Sequence, residues 1–238
     1  MKSSRVKKVV VTSSVAAITD SPITGHVYTE TDWNTESSLD RNAYYYSEVL
    51  AEKFVWEFEE KENPKFGIVV VNPFLVIGPK LNPAEELNES NDIFRRIFAR
   101  EFPAIVSLNW GMVDVRDVAI MHVLAMEKAE AEGSFITYCA TQSMRDIVKR
   151  LEEWYRERRF PSLGLDSAVG DFFVKFFAFL EKRGAAGYIK TTLGRLPTLD
   201  NSKSRKIGME YPDIWVSVKD LSDWLRKCQL PKTEPYPT

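Results

Sequence analysis

Two hydroxyl side chains are the residues of this chain best suited to acid–base chemistry. Ser14 closes the apolar segment Val9–Ser14, and Tyr44 follows thirty residues later at the start of a helical pattern. A serine hydroxyl can stabilise an oxygen on which negative charge develops. A tyrosine can deliver a proton to the same oxygen if its pKa of about 10 is lowered towards working pH. The pair therefore predicts a proton-transfer site for a carbonyl or alcohol group.

The residue four positions after Tyr44 is an acid, Glu48. Side chains four apart share one face of a helix, so we expect the Glu48 carboxylate beside the phenol. At about 6 Å and an effective dielectric of about 20, one charge is worth roughly 3 kcal/mol, so an anion in place of a cation opposes tyrosinate formation by roughly 5 to 6 kcal/mol before solvent screening. Lys53 falls on the opposite helix face. Lys203 and Arg205 are too distant in sequence to place.

The elements that must position these side chains form a strand, a helix and a second strand. Val6 to Val11 is apolar at successive residues, as in a strand buried on both faces, and Ser14 follows its carboxyl end, where open α/β sheets bind ligands. The pattern predicts a helix from about Ala43 to Lys61 and a strand from Phe66 to Val71, closed by Asn72 and Pro73. This order predicts a parallel crossover unit. The apolar residues expected on the core face of the helix are Val49, Leu50, Ala51, Phe54 and Phe58.

The other segments predict a less regular arrangement. Asp20 to Asn42 is polar and rich in turn residues, which favours a long loop. Two Ser-x-x-Asp patterns resemble capping boxes that open helices, at Ser143 and at Ser217. Further elements are expected as helices at 92–100 and 116–131 and as strands at 113–115 and 134–140.

The predicted fold class is α/β: the C-terminal part of a doubly wound, Rossmann-like parallel sheet, plus a smaller mixed α/β substrate domain. We assign residues 1–80 to the later half of the dinucleotide-binding domain, with 112–131 packing back on it. Residues 81–238 are then mainly the substrate domain, with a mobile tail at 231–238.

Composition argues against nucleic acid, a membrane and a metal ion as partners of this chain. Lys and Arg number 32 against 34 Asp and Glu, without a long basic block, which argues against nucleic acid. The most apolar helical stretch, 172–180, is far shorter than the roughly 20 residues that cross a bilayer, so no membrane is expected. Cys139, Cys228, His26 and His122 form no ligand pattern, which predicts no metal and a reducing, cytoplasmic setting.

Beyond this chemistry, several segments resemble the extended short-chain dehydrogenases/reductases. The likeness is strongest to the branch that contains dihydroflavonol reductases, cinnamoyl-CoA reductases and related NADPH-dependent aldehyde and ketone reductases. The segments that carry it span nearly the whole chain and are Val9–Ser14, Tyr44–Ser47, Leu50–Lys53, Asn72–Pro79, Asp114–Ala119 and Asp200–Arg205.

The resemblance implies roles for individual residues. Ser14 would be the catalytic serine, and Tyr44 would be the proton donor and a cofactor contact. Pro73, with Phe74 and Val76, would contact the nicotinamide end of NADP, or of NAD. The family's Tyr-x-x-x-Lys motif has Glu48 at its lysine position. Its Gly-rich phosphate loop is not found in these residues, and we expect it upstream.

Three functions remain open. The first is an NADPH-dependent oxidoreductase that reduces an aldehyde or ketone, impaired by truncation and by Glu48. The second is a noncatalytic binding or regulatory relative, and the third is an NAD-dependent epimerase or dehydratase. The expected partner is a small carbonyl or alcohol substrate, while its identity and the oligomeric state stay open.

Overall fold

The computed structural model describes residues 5–82, 87–180 and 191–228, with the side chains of 177–180 outside that description. The strands are β1 (Lys8–Thr12), β2 (Val27–Tyr28), β3 (Gly67–Pro73), β4 (Leu75–Ile77), β5 (Asn109–Asp114), β6 (Gly133–Thr137), β7 (Ala140–Ser143) and β8 (Thr198–Leu199). The helices are α1 (Leu39–Glu62), α2 (Glu89–Phe98), α3 (Val115–Glu127), α4 (Met144–Trp154), α5 (Ala168–Leu180), α6 (Ser202–Lys206) and α7 (Ile214–Cys228). A short 3-10 helix, Val15–Ala17, follows β1.

The first sheet is parallel, with strand order β1-β3-β6. Val10 of β1 pairs with Val69 of β3, and Val71 of β3 pairs with Phe135 of β6. Residues 69–71 of the central strand are fully buried, as a strand covered on both faces requires. The predicted parallel crossover is therefore present, with α1 connecting β1 to β3.

A second, mixed sheet has the order β4-β5-β7, in which β4 and β5 run parallel and β7 is antiparallel to β5. Its core surrounds the buried Trp110 and takes in apolar residues of α2, α4 and α7. The two-stranded pair of β2 and β8 is also parallel. The architecture is the mixed α/β, Rossmann-like fold predicted from sequence.

The segment from Asp20 to Asn42 is not a single loop. It contains the short strand β2 and the first turn of α1, which begins at Leu39 after the cap Ser38. Asn42 interrupts that helix with a backbone φ of −159° and ψ of 88°. Its Oδ1 accepts a hydrogen bond from the Tyr45 amide at 3.4 Å and so caps the longer segment, which starts where the sequence placed it.

The predicted core face of α1 is largely wrong. Val49 is buried, but Leu50 is 49% exposed and Phe54 is 69% exposed. The side that packs on the sheet carries the polar residue Glu52 instead, which is 4% exposed. Apolar spacing therefore identified the helix but not its buried face.

Two further boundaries differ from the prediction. The run 134–140 is divided between β6 and β7, because the chain leaves the first sheet after Thr137 and joins β5 of the second. Ser143 caps α4 as expected, since its Oγ accepts from the Asp146 amide at 3.0 Å. Ser217 does not begin the last helix: α7 starts at Ile214, and Ser217 is buried within it.

Candidate active site

Ser14 lies just beyond the carboxyl end of β1. The preceding amide, that of Ser13, donates to the Val71 carbonyl at 2.8 Å, so pairing with β3 continues past the last strand residue. Ser14 has extended backbone angles and caps the 3-10 helix, accepting a hydrogen bond from the Ala16 amide at 3.1 Å. Because that bond uses a lone pair of Oγ, the hydroxyl proton remains available to donate.

Tyr44 lies in the first turn after the break at Asn42. Its side chain is not withdrawn into the core, since the residue is 54% exposed. The phenol is therefore partly open to solvent.

The structure brings the Ser14 and Tyr44 side chains together. Interaction with the Ser14 hydroxyl lowers the pKa of Tyr44. Burial of part of the ring raises this pKa more strongly, and the negative charge of Glu48 adds to the rise. The net pKa of Tyr44 lies above its usual value, the direction that the sequence predicts for an acid at position 48.

The pKa of the Glu48 carboxyl is itself raised. Burial raises the pKa of the Glu48 carboxyl, the negative charge of Glu52 raises it further, and interaction with the Tyr44 hydroxyl opposes both effects. A second acid, Glu89, also raises the pKa of Tyr44. The residue charges that act most strongly on the phenol are thus both negative.

None of the three cations considered from sequence replaces the missing lysine. The Lys53 ammonium lies 5.7 Å from the centre of the Trp33 ring, in keeping with its place on another helix face. Lys203 Nζ donates to the Ser134 carbonyl at 2.7 Å, on β6. Arg205 Nε donates to the Asn201 side chain at 3.0 Å. These side chains are held away from Tyr44.

The sequence reasoning missed a buried carboxylate, Glu52, beneath the hydroxyl pair. Its Oε2 accepts from Ser13 Oγ and from Asn72 Nδ2, each at 2.6 Å. Its Oε1 accepts from Ser134 Oγ at 2.9 Å and from Trp56 Nε1 at 3.3 Å. Four donors to two oxygens suit an ionised carboxylate. The available signal was position, because 44, 48 and 52 fall on one face of a helix.

Asn72 connects this carboxylate to the serine. Its Nδ2 donates to the Ser14 carbonyl at 3.2 Å as well as to Glu52. Its Oδ1 is buried and has no hydrogen-bond partner among the described residues. The end of β1, the helix α1 and the end of β3 are therefore tied together at the point where Ser14 emerges.

The three residues expected at the nicotinamide end of the cofactor do not lie in the same sheet. Pro73 is the last residue of β3 and pairs with Thr137, and the Phe74 amide donates to the Thr137 carbonyl at 3.2 Å. Both lie at the sheet edge that carries Ser14. Val76 belongs to β4 and pairs with Val113 in the second sheet, so it is placed differently from the other two.

A small cleft lies next to Tyr44, because the Tyr45 ring lines the cleft and its centre is 5.8 Å from the centre of the Tyr44 ring. Tyr45 and Phe74, the immediate neighbours of Tyr44 and Pro73, form part of its wall. The remaining lining residues are Thr19, Asp20, Pro22, Asn109, Thr192, Arg195 and Pro197. These segments are far apart in the chain, so the cleft is a product of the tertiary fold.

Among the described residues we find neither a membrane-spanning helix nor a cluster of metal ligands. No helix in residues 5–82, 87–180 or 191–228 is long and apolar enough to cross a membrane. Within the same ranges, no three His, Cys, Asp or Glu side chains are grouped so that they could hold a metal ion.

Comparison with known proteins places this geometry in context. The model of the NAD dependent epimerase/dehydratase family matches residues 1–139. The chain is 30% identical over 233 residues to a cinnamoyl-CoA reductase of Medicago truncatula, CAD2, and covers 62% of that protein with 95% of its own length. It is 31% identical over 240 residues to the NADPH-dependent methylglyoxal reductase GRE2 of Saccharomyces cerevisiae, with 94% of this chain and 65% of the reductase aligned.

Solved structures show the same similarity to reductases as the sequences do. The crystal structure of yeast methylglyoxal/isovaleraldehyde reductase Gre2 complexed with NADPH matches with a TM-score of 0.73 and 29% identity, over 94% of this chain and 65% of that chain. The chain thus spans about three fifths to two thirds of the length of the proteins it resembles.

Proposed function

The chain belongs to the NAD dependent epimerase/dehydratase family, and from this premise we propose that it is an NADPH-dependent oxidoreductase that reduces an aldehyde or ketone, impaired by Glu48. The observation that carries the proposal is that the Ser14 and Tyr44 side chains lie within interaction range of each other at the carboxyl edge of a parallel sheet. Ligands of open α/β folds bind at this edge.

In the proposed reaction the two hydroxyls act on the substrate carbonyl oxygen. Tyr44 donates its proton to the oxygen as negative charge develops there, and Ser14 donates a hydrogen bond to the same atom. Ser14 can do so because its Oγ already accepts from Ala16 and its proton is directed elsewhere. NADPH, when bound, supplies the hydride.

The residues present fit one end of that cofactor. Pro73 and Phe74 lie at the sheet edge beside the hydroxyl pair and would line the nicotinamide end. The pyrophosphate end has no such match, because the 238 residues contain no Gly-x-x-Gly-x-x-Gly. Position 48 also carries an acid where the resembled family has the lysine that holds the nicotinamide ribose. We therefore expect weak binding of NADPH by this chain.

Glu48 also favours a second candidate, a noncatalytic relative that uses the same cleft only for binding. The Tyr44 phenol has lost the cation that would stabilise its ionised form, while the scaffold around Ser14 is complete. The third candidate is an epimerase or dehydratase of the same family. It would use the same hydroxyl pair, and analysis of products would separate it from a reductase.

Charge reversal at position 48 tests the proposal. Glu48→Lys should raise the rate of NADPH oxidation in the presence of methylglyoxal or another short aldehyde at least about tenfold, the effect of roughly 1.4 kcal/mol. The double variant Glu48→Lys, Tyr44→Phe should abolish the gain. NADPH binding by fluorescence should strengthen in parallel.

A matched control is available on the same helix. Glu60 is exposed and lies twelve residues from position 48, or about 18 Å along the axis, so Glu60→Lys makes the same charge change away from the site. It should leave NADPH oxidation unchanged. If the Glu48→Lys chain folds but neither binds nor oxidises NADPH, the reductase proposal fails.

We also propose a cytoplasmic location. Cys139 and Cys228 are both free thiols, which suits a reducing compartment.

A further inference from the structure

We propose that the cleft beside Tyr45 and Phe74 selects carbonyl substrates that also carry a carboxylate, and that Arg195 is the residue that binds this carboxylate. The reaction in this inference rests on the proposed function, whereas the anion binding does not.

Arg195 is fixed from both sides. Its Nη1 donates to the carbonyls of Ser21 and Pro22, each at 3.2 Å. Asn109 Nδ2 donates to the Arg195 carbonyl at 2.9 Å. The preceding residue, Gly194, has a φ of +74°, which glycine adopts readily, and its amide donates to the Ser107 carbonyl at 2.7 Å. The guanidinium is therefore positioned before any ligand arrives.

One edge of that guanidinium is left for a ligand. Of its five N–H groups, only those of Nη1 have acceptors among the described residues. Arg195 also forms no ion pair with a described carboxylate. The Nε and Nη2 groups present two parallel donors, the geometry that binds a carboxylate through both oxygens.

The cleft contains an acid, Asp20, but its charge is already paired. Asp20 Oδ1 accepts from Arg41 Nη2, and Oδ2 accepts from Arg41 Nε, both at 3.1 Å. Ser37 Oγ donates to Oδ2 at 2.6 Å. The Asp20 side chain is fully buried. The unpaired charge that the cleft offers to a ligand is consequently the positive charge of Arg195.

The position of Arg195 connects this charge to the reaction site. Tyr45, beside the phenol of Tyr44, and Phe74, beside Pro73, line the same cleft as Arg195. The Tyr44 and Tyr45 rings are 5.8 Å apart between centres, so we infer that a molecule with its carbonyl at the hydroxyl pair passes the Tyr45 ring and places its other end at the guanidinium. The substrate class that fits is a short oxo acid, with one carbonyl and one carboxylate.

Ligand binding to the unmodified chain without cofactor tests this assignment. The probes are pyruvate and 4-oxopentanoate, each compared with its uncharged methyl ester by calorimetry. At least one acid should bind, and its ester should bind about tenfold more weakly or worse. Arg195→Gln should weaken binding of the acid by about 10- to 100-fold and leave the ester unchanged.

The controls separate charge, folding and site. Arg150→Gln removes a charge from an exposed side chain on α4 and should not change acid binding. Arg195→Lys keeps the charge but not the paired donors and should fall between the unmodified chain and Arg195→Gln. The acid–ester comparison needs no variant, so it remains valid if Arg195→Gln unfolds.

The inference is overturned if neither acid binds, if acid and ester bind equally, or if folded Arg195→Gln keeps full affinity for the acid. These results are independent of the reductase proposal. Acid binding without NADPH oxidation by the Glu48→Lys chain would retain the anion site and remove the reductase. NADPH oxidation with equal rates for acid and ester would do the reverse.

Discussion

Replacing Glu48 should lower the pKa of the Tyr44 phenol. Burial and the Glu48 charge both raise that pKa now, and only the second cause is removed by substitution. Glu48→Gln removes the negative charge, and Glu48→Lys replaces it with a positive one. The expected order of Tyr44 pKa values is therefore the unmodified chain, then Glu48→Gln, then Glu48→Lys as the lowest.

The size of the change follows from distance and exposure. The Glu48 and Tyr44 side chains interact directly, and at about 4 Å one charge contributes about 4 kcal/mol at an effective dielectric of 20 and about 1 kcal/mol at that of water. Tyr44 is 54% exposed, so screening by solvent places each charge towards the lower end of that range. Reversing the charge then gives about 2 to 3 kcal/mol, or roughly 1.5 to 2 pKa units, and Glu48→Gln gives about half.

Titration by NMR measures this directly. The chain has nine tyrosines, so tyrosine labelled at Cζ would be followed between about pH 8 and pH 12, with Tyr44→Phe used to assign the signal. Glu60→Lys serves as the control, because about 18 Å exceeds the screening length of about 8 Å in physiological salt. A Tyr44 pKa that moves by less than about 0.3 units in Glu48→Lys would refute the electrostatic reasoning.

Two other predictions concern buried carboxyls and are measured by urea denaturation. Burial, followed by the negative charge of Asp114, raises the pKa of Asp117 to about 6. The folded chain therefore holds a proton that the unfolded chain releases, and stability should fall as pH rises from about 4 to 6. Asp117→Asn should remove this slope and be more stable by about 1 to 3 kcal/mol at neutral pH, whereas an unchanged slope would contradict the assignment. Glu52→Gln places an amide N–H among four donors and should cost about 2 to 4 kcal/mol; a loss below about 0.5 kcal/mol would show that the network is not stabilising.

Local patterns predicted the elements that place the hydroxyl pair. Successive valines identified β1 and β3, and the start of the long helical segment near Ala43 followed from the change to helical spacing. The order of strand, helix and strand then put Ser14 and Tyr44 at one sheet edge, which the structure shows. These are short-range signals, and each depends on only a few neighbouring residues.

The features that the sequence did not predict depend on contacts between residues distant in the chain. Helical spacing could not show that Glu52, rather than Phe54, faces the sheet, because that choice depends on donors from β1, β3 and β6. A polar residue within an apolar pattern is usually solvated, so the face that Glu52 shares with positions 44 and 48 was too weak a signal to predict its burial. The role of Arg195 likewise depends on a cleft built from five separate segments.

Geometry and electrostatics are separable at this site. The position of Ser14 depends on the bond from Asn72 and on the buried carboxylate of Glu52, and neither contact includes Glu48. An acid at position 48 therefore leaves the arrangement of the hydroxyls intact. A raised pKa also keeps the Tyr44 phenol protonated, which is the form that the proposed reduction requires. Glu48 instead destabilises the tyrosinate that forms when Tyr44 donates its proton, because the two negative charges would lie side by side without a stabilising cation. Reduction by this chain should accordingly be limited by the proton transfer from Tyr44, and that transfer should respond to charge at position 48 more than to any change of shape.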